Sequence, residues 1–206
     1  MIVKMYVFFS NKLEIFLIEQ KIISIEQKEI YAYGLECLIA RIGTILYLLL
    51  LSICLRAVWQ AVVFYFVFLA MRKFAGGYHA TTYVKCNALY LLTFMVSVLG
   101  DRYVVSNFNS LYLSVFILLF VFMTVLIFSP IENPNNPIED GQEKKFRRYS
   151  LLIASALSVG EMVLFFLDLP IHGMLLISMF LAVVYMYVEV INRKRKEGNV
   201  REKDNP

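Results

Sequence analysis

The chain has 206 residues, of which 60% are hydrophobic and 17% charged, with a mean hydropathy of +0.67 and a formal net charge of +4. Soluble domains hold about 45 to 50% apolar residues, so this composition excludes an ordinary water-soluble enzyme. It predicts an all-α polytopic membrane protein with about six transmembrane or membrane-dipping helices and an N-terminal amphipathic surface helix.

In chain order, the first 30 residues lack the positive start, apolar middle and small-residue cleavage site of a signal peptide, so the N-terminus is expected to be retained. Residues 12–33, KLEIFLIEQKIISIEQKEIYAY, set Phe16, Ile22, Ile23 and Ile30 near one helical face, with Lys12, Glu19, Lys21, Glu26 and Lys28 largely opposite. The pattern predicts an amphipathic helix, and its slightly negative charge favours packing over attraction to anionic lipid.

Six apolar runs follow, at 35–55, 57–71, 87–100, 110–129, 151–167 and 171–191. A helix needs about 20 residues, and no fewer than about 17, to cross the hydrocarbon core. Runs two and three are shorter. They either take up residues of the insert between them and of 101–107, or form tilted or re-entrant segments.

Of the twenty lysines and arginines, all but three fall before run one, between runs two and three, between runs four and five, or in the tail. Arg56 and Arg102 lie on the other side, and Arg41 lies inside run one. This asymmetry predicts both termini and the insert on the cytoplasmic side. Cys37 and Cys54 fall in or beside run one and read as small packing residues. With Cys86 at the reducing cytoplasmic edge, no disulfide framework is expected.

The insert RKFAGGYHATTYVKC, residues 72–86, concentrates polar and reactive groups between two apolar runs. A thiol attacks as thiolate, so a pKa of about 8.5 has to be lowered by an imidazolium, a basic group or a helix N-terminus. His79 and Lys85 are local candidates for the first two. Thr81 or Thr82 is placed to cap a helix that starts just before Cys86, which puts the sulfur in a first turn where the helix dipole favours negative charge. Gly76 and Gly77 permit a tight bend, close approach of a substrate and N–H groups turned toward an oxyanion. In one straight helix seven residues rise about 10.5 Å, so His79 reaches Cys86 only if the chain bends between them.

Plainer readings stand beside this one. A histidine and a cysteine at such spacing are more often packed or solvated than catalytic, and Arg72 with Lys73 also reads as an ordinary membrane anchor. Two ligands are too few for a structural zinc site, so no metal is expected. Farther along, Glu161 lies within run five, where an ionisable group is a functional candidate by default; pairing with Arg41 or an interfacial position is the alternative. Asp168 and His172 flank Pro170 in a short outer turn and read as solvated.

The run Arg72, Ala75-Gly76-Gly77-Tyr78-His79-Ala80 and Cys86, set between hydrophobic spans, resembles the accessory gene regulator B family of bacterial quorum-sensing proteins. The segment Ser129-Pro130-Ile131-Glu132-Asn133-Pro134-Asn135-Asn136-Pro137-Ile138, followed by Lys144, Lys145, Arg147 and Arg148, is similar to that family's cytoplasmic loop after the fourth span. In layout the resemblance extends from about residue 12 to 192. It implies a membrane-embedded cysteine endopeptidase that removes the C-terminal part of a small precursor peptide and, through a thioester, helps close the rest into a cyclic autoinducing peptide. By position Cys86 matches the nucleophile and His79 the general base. Arg72 and Gly77 match further motif positions, and Gly76 and Lys85 are the expected supporting residues. Some members carry lysines just before the second proline of the later loop, where this chain has Pro134, Asn135 and Asn136, so no role of those lysines carries over.

Residues 1–34 are expected to form a cytoplasmic or interfacial segment, 35–192 a single membrane-embedded domain, catalytic on that resemblance, and 193–206 a charged cytoplasmic tail. The expected partners are the precursor peptide and membrane lipid. Short spans and a packing-type N-terminal helix are compatible with a homodimer. No cofactor and no nucleic acid is expected. Two competing readings remain open: a non-catalytic membrane scaffold, which needs neither His79 nor Cys86, and a small-peptide transporter, which would use buried charges and broken helices.

Overall fold

A computed structural model describes residues 2–78, 80, 82–105, 107–108, 110–132 and 141–203. Seven helices carry the described chain: α1 (Ile2–Glu19), α2 (Lys28–Cys54), α3 (Val58–Ala75), α4 (Tyr83–Gly100), α5 (Leu111–Phe128), α6 (Glu143–Phe166) and α7 (His172–Lys203). A 3-10 turn at Ile25–Gln27 leads into α2, and a π turn at Asp101–Val105 extends α4. All except α1 contain a stretch long and apolar enough to cross a membrane, and the protein is an all-α polytopic membrane protein. Runs two and three gain length as their shortness requires: α3 takes in Arg72 to Ala75, and the third span runs Val84–Val105.

The helices divide into two compact units. Unit 1 comprises residues 1–56 and 80–91, and unit 2 comprises 57–79 and 92–206. In unit 1, α1 and α2 form an antiparallel hairpin. The buried Ser10 hydroxyl donates to the Ala32 carbonyl at 3.0 Å, and Lys28 Nζ stands 3.4 Å from the buried Glu14 carboxylate. The amphipathic helix expected over 12–33 is therefore interrupted. The chain turns between Glu19 and Ile25, with Lys21 at φ 56°, and Ile22 and Ile30 are exposed while Ile23 is buried. The physical reason is pairing: reversing the chain lets α1 pack along the start of α2 and gives Glu14 its cation.

Unit 2 is built around α7, which packs on α3, α5 and α6. Met174, Leu176, Met179, Val183 and Met186 of α7 are buried against a core that includes Phe64, Phe68 and Met71 of α3 and Val121 and Val125 of α5. Aromatic pairs fill the wider gaps, Phe64 with Phe68 at 5.1 Å and Phe120 with Tyr187 at 5.7 Å between centroids. Small residues such as Ala61, Ala154 and Ala182 are buried where helix backbones approach closely. Hydrocarbon offers no water to a hydroxyl, and the hydroxyls of Ser97, Thr124, Ser158 and Ser178 accordingly bond back to the carbonyl four residues earlier. Leu50, Phe66, Phe116, Ile127 and Val159 point outward, as lipid-facing side chains do.

Candidate functional site

The first part of the insert, 72–78, is folded onto unit 2. Arg72 lies in the last turn of α3 with its guanidinium 5.4 Å from the Phe68 ring centroid and 5.3 Å from that of Tyr185, and it donates a hydrogen bond to the Tyr78 carbonyl. The Tyr78 N–H in turn donates to the Tyr185 carbonyl at 3.0 Å. Arg72 thus closes the loop that follows its own helix, using both its planar face and its donor fork.

The two glycines are explained by backbone contact. Gly76 has φ 85° and forms a parallel bridge with Ile131, whose N–H donates to the Ala75 carbonyl at 2.9 Å. A Cβ at Gly76 would overlap the Ile131 carbonyl. Gly77 has φ 128°, and a Cβ there would stand 3.3 Å from the Tyr185 carbonyl carbon. The freedom of the glycines, read from sequence as room for a bend and a substrate, is used by unit 2 to bring three backbone segments together. The two stretches that carry the family resemblance meet here, 72–78 against 129–131. The Ser129 and Ser150 hydroxyls join the latter to α6, and Phe74 packs on Phe146 and Tyr149. Asn133 to Asp140, including Pro134, Asn135, Asn136, Pro137 and Ile138, lie outside the described residues.

The second part of the insert belongs to unit 1. Thr82 caps α4: its Oγ1 accepts from the Lys85 N–H at 3.3 Å, and its carbonyl accepts from the Cys86 N–H at 2.9 Å. Cys86 consequently sits in the first turn of α4, half-buried, beside the exposed Lys85. Asn87 meets the Thr44 hydroxyl of α2 at 2.8 Å and fixes that turn. This is the position at which the dipole favours negative charge. His79 and Thr81 lie outside the described residues. Cys37, Cys54 and Cys86 form no disulfide. Among the described residues no group of three or more His, Cys, Asp or Glu side chains is arranged to hold a metal.

Two features escaped the sequence reading. Tyr185 gathers Tyr78, Arg72, Phe68 and the Thr93 hydroxyl, the last at 2.5 Å. The signal was available, since Tyr185 and Tyr187 set two phenols in an apolar run and a buried phenol needs a partner; Tyr187 finds Thr124 at 3.3 Å. The second is a correction. His172, read as solvated, is 6% exposed, with Nδ1 3.6 Å from Glu161 Oε1 and its ring edge-on to Phe165 at 5.3 Å. The turn through Asp168, at φ 51°, and Pro170 folds tightly enough to seat the first residue of α7 beside the end of α6.

Six membrane-length helices, a glycine-paired loop at one end of unit 2 and a capped, part-exposed thiol at the start of α4 define a polytopic membrane protein with a structured polar insert. The profile of the Accessory gene regulator B family matches residues 10–189, and the chain belongs to that family. It is 28% identical over 127 residues to the AgrB-like protein 2 of Clostridium perfringens (strain 13 / Type A) and 27% identical over 127 residues to an AgrB-like protein of Clostridium perfringens (strain SM101 / Type A). Each match covers 58% of this chain and 58% of the relative, so the chain spans less than two thirds of the curated relatives it matches. No solved structure matches it.

Proposed function

We propose that the protein is a membrane-embedded cysteine endopeptidase that cleaves a small precursor peptide and, through a thioester, helps form a cyclic quorum-sensing peptide. The observation that carries this reading is the placement of Cys86, a part-exposed thiol in the capped first turn of α4, seven residues after His79 within the family match. His79 takes the proton from Cys86, and the sulfur attacks a precursor carbonyl. The S–C bond forms, the C–N bond breaks, and the leaving amine receives the proton from His79. A thiol or hydroxyl within the retained fragment then attacks the thioester, closes the ring and returns a proton to Cys86. Arg72, Gly76 and Gly77 act by shaping the loop that precedes His79. Lys85 supports the thiolate, and the exposed Lys144, Lys145 and Arg148 suit an acidic precursor tail. The insert works on the cytoplasmic side, where positive charge collects. Making a thioester from an amide runs uphill, so removal of a product pulls the reaction.

The test is cleavage of a synthetic precursor, with a central Cys or Ser and an acidic tail, by full-length protein in liposomes. Cys86→Ala and His79→Ala are expected to abolish cleavage, and Cys37→Ala and Cys54→Ala to retain it. Cleavage surviving in Cys86→Ala would overturn Cys86 as the nucleophile, and no cleavage by the unaltered protein would leave the scaffold or transporter readings.

A further inference from the structure

The end of unit 2 remote from Arg72 holds ionisable groups that the peptidase chemistry leaves unused. The π turn after α4, the start of α5, the end of α6 and the start of α7 converge there. Glu161 is fully buried, and neither of its carboxylate oxygens has a hydrogen-bond partner. The Ser114 hydroxyl and the His172 ring face it. His172 Nδ1 is likewise buried without a hydrogen bond, 3.6 Å from Glu161 Oε1. Asp101 presses its carboxylate against Gly173, where any Cβ would overlap it. The remaining charges nearby are the exposed Arg102, beside Asp101, and the exposed Asp168, just past α6. Among the other helices packed on α7, α5 carries no charged residue and α3 none before Arg72.

A carboxylate faced only by one hydroxyl and one imidazole, with that imidazole's Nδ1 just beyond hydrogen-bond distance, is costly in a dry site, and one proton answers both needs. It makes either a carboxylic acid facing a neutral ring or an imidazolium facing a carboxylate. Closing the gap by about 0.7 Å would bring the pair to hydrogen-bonding distance. We propose that Glu161 and His172 form a proton-binding site, distinct from Cys86, that takes one dissociable proton from water at the Asp101 end of unit 2 and shares it between carboxylate and imidazole. The step is a proton transfer alone, and it is independent of the peptidase reading. The site lies on the helix that also carries Tyr185, thirteen residues or about 20 Å farther along.

The chain has only two histidines, His79 and His172, so His79→Ala leaves a single imidazole to observe. The full-length variant in lipid is followed against pH by nitrogen NMR of labelled histidine and by infrared difference spectra of the carboxyl stretch. The expected result is a His172 signal and a carboxyl band that titrate with one common midpoint, the band disappearing in Glu161→Gln and its midpoint moving by about one pH unit or more in His172→Asn. Separate midpoints, a silent pair, or a proton that settles wholly on one group and leaves the other signal unchanged, overturn the proposal. Where Glu161→Gln prevents folding, Glu161→Asp assigns the band by shifting its frequency, and the His172 midpoint is read with Glu161 and His172 both in place.

Discussion

Gly76 is the residue whose substitution separates backbone need from catalytic need. Alanine there meets both a positive φ and the Ile131 carbonyl, so Gly76→Ala is expected to cost about 1 to 3 kcal/mol or more, read as a lowered unfolding temperature in lipid. Gly34 and Gly160 lie in helices with open space at their Cβ positions. Alanine at either is expected to be neutral or to stabilise by up to about 1 kcal/mol. Arg72 gives a second contrast. Lysine keeps the charge but loses the planar stacking on Phe68 and Tyr185 and the fork that reaches the Tyr78 carbonyl. Arg72→Lys is therefore expected to lower stability by about 1 to 2 kcal/mol and to slow precursor cleavage along with it; a variant of unchanged thermal stability would remove Arg72 from the loop's support. The sequence made the special character of Gly76, Gly77 and Arg72 visible. Their partners Ile131 and Tyr185 were not legible, because a contact across 55 or more residues leaves no local trace.

At the scale of the helix, Thr82 sets the start of α4 and so the place of Cys86. Thr82→Ala removes the side-chain acceptor for the Lys85 N–H, which costs about 1 kcal/mol of local helix stability. Alkylation of Cys86 at neutral pH is expected to slow severalfold in Thr82→Ala and to recover in Thr82→Ser. Equal rates in all three proteins would mean that the cap does not act on the thiol. The cap was readable from sequence since capping is a local rule, and so were the six spans, since each is a long apolar run. The helix that the pattern predicts over 12–33 is broken for a related reason. Periodicity describes what a segment would do alone, whereas the turn after Glu19 exists because Ser10 and Glu14 find Ala32 and Lys28 on the next helix.

For the whole molecule, the charge asymmetry makes a sidedness prediction. In sealed right-side-out vesicles a membrane-impermeant thiol reagent is expected to leave Cys86 unlabelled and to label a cysteine placed at Asp168, an exposed residue of the opposite turn. Inverted vesicles should exchange the two results. The family was legible because the motif that carries the resemblance lies in contiguous residues. The buried meeting of Glu161 with His172 was not, since it depends on how α6 and α7 pack.

The most direct measurement is to map the covalent adduct. Full-length protein in lipid is mixed with precursor peptide, quenched in acid and digested, and the modified cysteine is identified by mass spectrometry. The account predicts the N-terminal precursor fragment on Cys86 as a hydroxylamine-sensitive thioester, absent from His79→Ala. An adduct on Cys37 or Cys54, or cleaved peptide accumulating in Cys86→Ala, would contradict it.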